Sequence, residues 1–161
     1  MMFHIEAQAD EERRQLIRKR LRETNNRLSP VVAGLRGTGA DAQVPVEVYA
    51  YESEPGPGAG AGVGPGGRGE PVGGLVAYAW WHWLHLDLLW VDERHRGSGL
   101  GSRLVTRAEE LAREEHGCTH ARVATWDFQA PGFYQKAGYT LVSTVEDYPP
   151  GCTDHLLTKR L

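Results

Sequence analysis

The segment Val91 to Ser102, VDERHRGSGLGS, limits what this chain can fold into more than any other stretch. Before it, Leu84 to Val91 (LHLDLLWV) is an apolar run of strand length. After it, Leu100, Leu104, Ala108, Leu111 and Ala112 recur at helical spacing until Gly117, a helix stop. A strand that runs through a short loop into a helix is a building unit of an α/β domain. Gly97, Gly99 and Gly101 alternate, so the loop backbone can approach a ligand and turn its N–H groups inward, where the helix also directs its positive end. The natural guest is a phosphate. Two common nucleotide loops are disfavoured: the third glycine of G-x-G-x-x-G falls on Ser102, and G-x-x-x-x-G-K-[ST] is absent.

The rest of the chain supplies strands and helices around this unit. Phe3 to Glu6 is a short candidate strand, and Asp10 opens a helix with acids first (Glu11, Glu12) and bases later (Arg18, Lys19, Arg20, Arg22), an order that suits the helix dipole. Those bases form a solvated face. Val44 to Tyr51 and Val72 to Trp80 are strands, followed by a tight connection at His82 and Trp83. Between the first two, residues 53–71 hold a Gly/Pro-rich stretch with little side chain to bury and much backbone entropy to lose, which predicts a flexible inserted loop. Ala121 to Trp126 is a further strand and Ala130 to Ala137 a short helix closed by Gly138. Tyr139 to Val145 and His155 to Lys159 make a last strand pair, turned at Pro149-Pro150-Gly151. A chain of 161 residues in this order predicts one α/β domain, 1–161, with a mixed sheet.

Net charge −3 argues against a nucleic-acid partner, which requires a basic face. No window approaches the roughly 20 apolar residues of a membrane span. The opening MMFHIEAQADEERR lacks the apolar core of a signal peptide, and two cysteines make no disulfide framework, so a cytoplasmic location is expected. Cys118 with His120 and Cys152 with His155 are pairs rather than ligand sets, and no metal site is expected.

Arg96-Gly97-Ser98-Gly99-Leu100-Gly101 resembles the R/Q-x-x-G-x-G/A pyrophosphate loop of the GNAT superfamily, which moves acetyl groups from acetyl-CoA to amines. A second pattern of that superfamily, A-x-x-x-Y-x-K-x-G-[FY], is matched by Ala130, Tyr134, Lys136, Gly138 and Tyr139. The resemblance spans about Val72 to Leu161. It implies the acyl-CoA N-acyltransferase fold, a mixed and mostly antiparallel sheet of about six to seven strands flanked by helices. It implies acetyl-CoA as co-substrate and a primary amine of a small molecule or peptide as acceptor, with no nucleic acid and no membrane involved. A homodimer is common in the superfamily. A CoA-binding sensor without turnover, and an acyltransferase using a longer acyl-CoA, are the alternative readings.

On this resemblance the diphosphate of acetyl-CoA rests on the amides of Gly97, Ser98, Gly99, Leu100, Gly101 and Ser102, beside Arg96. The pantetheine arm lies along Leu89, Trp90 and Val91 like an added strand, in a gap beside Ala121 to Trp126. A backbone N–H near Leu89 or Trp90 would stabilise the oxyanion. An alkyl ammonium of pKa near 10.4 must shed a proton first, at a cost of roughly 4.6 kcal/mol at pH 7. Strand alternation puts His85, Asp87, Leu89 and Val91 on one face, so His85 and Asp87 are the candidate bases. Tyr134 matches the superfamily tyrosine that protonates the departing thiolate. Asp127 stands where many relatives carry asparagine. Trp80, Trp81, Trp83 and Trp90 are either core or an aromatic wall for the acceptor, to which Asp87 and Glu47 would add charge.

Overall fold

The computed structural model describes residue 2 and residues 4–52 and 69–161, divided into one unit up to Thr38 and another from Gly39 to Leu161. In the first unit, the Asp10 carboxylate accepts from the Arg13 backbone N–H and starts α1 (Glu11–Leu28), with Glu11 and Glu12 in the first turn. Ser29 then caps α2 (Pro30–Leu35), its hydroxyl accepting from the Val32 N–H. The Ser-Pro pair is the sequence signal for this helix, a capping residue followed by proline at the first helical position. The strand expected at Phe3 to Glu6 is not seen in its described residues, 4–6. Residues 4–10 have no regular structure, Phe3 lies outside the described residues, and Glu6 accepts a hydrogen bond from Arg13 of α1 at 2.9 Å.

Among its described residues, the second unit is built on a sheet of six strands: β1 (Val44–Ala50), β2 (Gly73–Trp80), β3 (Trp83–Val91), β4 (His120–Trp126), β5 (Thr140–Glu146) and β6 (Thr153–Arg160). Their spatial order is β1-β2-β3-β4-β6-β5, and among the described residues only β3 and β4 run parallel. This is the mixed sheet that the residues predicted, and the mostly antiparallel one that the resemblance implied. Two helices accompany it, α3 (Leu100–His116) and α4 (Pro131–Lys136). Leu104, Val105, Ala108 and Ala112 of α3 are buried in one core with Leu75, Ala77 and Ala79 of β2, Leu84 and Leu86 of β3, and Val46 of β1. Leu75, Leu84 and Leu157 are wholly buried, each contributing about 1.5–3 kcal/mol.

The turn between β2 and β3 is Trp81–His82, one residue earlier than expected. Both residues have positive φ, 49° and 62°, as a two-residue hairpin turn requires. The strain is held by Trp81 N–H donating to the Ala40 carbonyl and Thr119 N–H donating to the His82 carbonyl, each at 2.9 Å. Ala50 pairs with Gly73, and β1 and β2 are antiparallel neighbours. The connection between them was predicted to be a loop over 53–71. Of that segment, 53–68 lie outside the described residues.

Candidate active site

The loop from β3 to α3 is built to leave amides free. Asp92 accepts from the backbone and side chain of Arg94 and caps a short 3-10 turn, Glu93–His95. The Arg94 side chain, then its backbone N–H, hold the Asp92 carboxyl down at about 2, so the cap is ionised at any physiological pH. Arg96 Nε donates back to the Val91 carbonyl at 3.1 Å, and Ser98 Oγ donates to the His95 carbonyl at 2.5 Å. His95 Nε2 lies 2.9 Å from Glu52. Gly97 and Gly99 take φ of 74° and 81°, the left-handed region, and Gly99 is the N-cap of α3. Gly101 differs from the other two. Its φ is not positive, and a Cβ there would lie 3.4 Å from the Phe133 ring of α4, an ordinary contact.

Helices α1 and α3 differ at their starts. The first is closed by its own carboxylates. The second has a glycine cap with no side-chain hydrogen bond and no acid in its first turn. Its leading N–H groups and dipole are therefore available to an anion. Arg103 and Arg107 add positive charge on the next two turns. They line a cavity of about 580 Å3 that abuts the loop on its β1 flank, shared with Tyr49, Tyr51, His95 and Ser98.

On the other flank, the parallel pairing of β3 with β4 stops at Leu86 and Val123. Beyond it, Leu88–Val91 still pair with β2, while Ala124–Trp126 pair with β6. The two strands part, and the β4-facing edge of Leu89, Trp90 and Val91 is left without a strand partner. An extended arm carrying amides fits that edge by adding as a strand.

The register of β3 against β2 shifts at the same place: Ala77 pairs with Leu86 but Val76 with Leu88, leaving Asp87 as the extra residue of a bulge. This corrects the expected alternation. Leu84 and Leu86 are buried. After the bulge, Leu89 and Val91 pack against the core, while Leu88 and Trp90 are 61% and 52% exposed. His85 is thus on the face opposite Leu89 and Val91. It stacks on Tyr78, ring centroids 4.7 Å apart, and pairs across the sheet with Arg122. Burial, and then the Arg122 charge, push the imidazole pKa below its usual value, so His85 is neutral at pH 7. Asp87 is exposed at the bulge.

Tyr134 is buried between Phe133 and Tyr139, edge to face with both at 5.1 and 5.6 Å. Burial raises its phenol to about 12. The Tyr139 N–H donates to the Tyr134 carbonyl at 2.9 Å. The Tyr139 hydroxyl donates to buried Glu109 of α3 at 2.9 Å, and Lys159 of β6 donates to the other carboxylate oxygen at 2.6 Å. Glu109 therefore ties the helix that leaves the glycine loop to the strand end beside Tyr134. Sequence reasoning missed it, because α3 carries other acids and nothing in their spacing marks one as buried.

The tryptophans do not form one wall. Trp80 stacks on Trp81, and Trp83 on His120, all at the β2–β3 turn. Trp90 is seven residues further along β3, about 23 Å at strand rise. Glu47 accepts from the Tyr49 hydroxyl. Cys118 is in the core, and among the described residues no three His, Cys, Asp or Glu gather as metal ligands. Among the same residues, no helix is long and apolar enough to cross a membrane.

Residues 38–139 match the family model described as the acetyltransferase (GNAT) family. Over 94 residues the chain is 64% identical to blasticidin-S acetyltransferase of Streptomyces morookaense, covering 58% of this chain and 69% of that protein. It is 35% identical over 88 residues to an acetyltransferase of Agrobacterium fabrum, covering 55% of this chain and 64% of that one. Among solved structures, an acetyltransferase from Bacillus cereus superposes with a TM-score of 0.74 at 30% identity, covering 99% of this chain and 98% of the other.

Proposed function

Because the chain belongs to the acetyltransferase (GNAT) family and is an acetyl-CoA-dependent N-acetyltransferase, we propose that it acetylates a primary amine of a small molecule, with blasticidin S the first acceptor to test. One observation carries the site assignment: an uncapped, glycine-started helix stands beside the point where β3 and β4 part. The amides from Gly97 to Ser102, with Arg96 beside them, hold the diphosphate. The free edge of Leu89 to Val91 pairs with the pantetheine amides. The bulge at Asp87 frees backbone N–H groups from the regular ladder, and one near Leu89 or Trp90 donates to the thioester oxygen as charge builds there.

The amine nitrogen then bonds to the carbonyl carbon as the carbon–sulfur bond breaks. Tyr134, which keeps its proton to about pH 12, supplies that proton to the leaving sulfur. His85, neutral at pH 7, takes one proton from the acceptor ammonium through a chain of waters before attack, and the proton that the nitrogen sheds on becoming an amide replaces the one Tyr134 gives up. His85 lies some four residues, about 13 Å, below Leu89 on the strand. Thiol release from acetyl-CoA on adding blasticidin S, with a product heavier by one acetyl group, is the expected result. Acetyl-CoA binding without thiol release from any of a broad set of amines would overturn the acceptor assignment.

The base makes a separate prediction. Since the pKa of His85 is lowered, its base form persists below pH 6.5, and kcat/KM should fall only as pH drops through that lowered value. His85→Gln should cost roughly tenfold, short of the usual range for a positioned base because water still relays. It should also remove that acid limb. An unchanged pH profile in His85→Gln would assign the proton to Asp87 or to water alone.

A further inference from the structure

The end of β4 carries a feature that the acetyl-transfer chemistry does not use. Past the last β3 pair at Val123, β4 runs on to Trp126, level with Leu89 across the widening gap and paired with Asp154 of β6. The turn that follows is pinned at every residue. Asp127 N–H donates to the Thr153 carbonyl, and Gln129 N–H to the Trp126 carbonyl, both at 2.9 Å. The Gln129 side-chain oxygen accepts from Trp126 N–H and from the buried Thr125 hydroxyl, each at 3.2 Å. Phe128 N–H donates to the Asp127 carboxylate at 2.9 Å. This fixed backbone holds the Phe128 ring stacked on Trp126, centroids 5.5 Å apart, with Phe128 63% exposed.

A ring held rigidly at the mouth of a reaction gap is a preorganised contact surface. Its surroundings are acidic. Asp127 is in the turn and Asp154 pairs directly with Trp126, while Glu146, paired with Thr153, ends β5 on the other face. The nearest base on the same face of β4 is Arg122, four residues back and about 13 Å away at strand rise. The local field thus favours a cation, and the ring face favours a flat one.

We propose that the Phe128–Trp126 stack is the acceptor platform, selecting cationic amines attached to a flat ring over aliphatic amines. This rests on the acetyl-transfer reading of the same gap. The test compares tryptamine with cadaverine on the full chain in the presence of CoA, by calorimetric binding and by thiol release with acetyl-CoA. Wild type should bind tryptamine about tenfold more tightly. Phe128→Ala should abolish the preference, and Phe128→Tyr should restore it. Neither exposed substitution should change CoA affinity or melting temperature. Equal binding of the two amines by wild type, or a preference that survives in Phe128→Ala, would overturn the platform. So would a change in sedimentation mass with the preference intact, which would make the patch a subunit contact. Ring-selective binding with no thiol release from any amine would instead overturn the acetyl-transfer reading while the platform stood.

Discussion

Gly99→Val should raise the dissociation constant for acetyl-CoA at least 100-fold, about 2.7 kcal/mol. The cause is the backbone rather than crowding. A Cβ at Gly99 would meet nothing within 4 Å, but φ is 81°, where a β-branched residue costs about 1–3 kcal/mol. The strain is relieved by turning the N-cap out of the left-handed region, which re-aims the leading N–H groups of α3 away from a common point. Several charge-assisted hydrogen bonds are lost together. The side chain would also stand where a phosphate approaches. Gly101→Ala is the control, because its Cβ would make an ordinary contact with Phe133, and affinity should hold within about threefold. Calorimetric titration of both variants with acetyl-CoA decides the matter, and wild-type affinity in Gly99→Val would remove the loop from the site.

Tyr134→Phe should lower kcat by roughly 100-fold or more while leaving acetyl-CoA affinity near wild type. Phenylalanine keeps the edge-to-face packing with Phe133 and Tyr139, so the fold is retained and the change isolates the hydroxyl. With its phenol at about 12, Tyr134 remains a proton donor through the alkaline range in which amine acceptors become neutral. The wild-type rate should therefore show no alkaline loss from tyrosine ionisation below about pH 12. Equal losses in kcat and in acetyl-CoA affinity would make the hydroxyl a binding contact instead of the acid.

The strands and long helices were legible because each has a periodic apolar face, as in Leu104, Ala108 and Ala112 of α3. The turns were legible where glycine was obligatory, as at Gly117 and Gly138. Phe3 to Glu6 misled because two alternating apolar residues are too few to specify a sheet partner. Trp81–His82 was displaced by one residue because tertiary hydrogen bonds hold two non-glycine residues at positive φ. For the site, the loop residues Arg96 to Ser102 and Tyr134 were named from the chain. The face of His85, the separation of the tryptophans, the burial of Glu109 and the fixed Phe128 ring were not.

The sequence by itself determined the glycine-started helix, the strand before it and the tyrosine after it, because local backbone preference and side-chain periodicity act over a few neighbours. Tertiary structure alone decided where β3 parts from β4 and where Asp87 bulges. Both depend on registers between strands distant in the chain, and one extra residue in a ladder reverses which face every later side chain occupies.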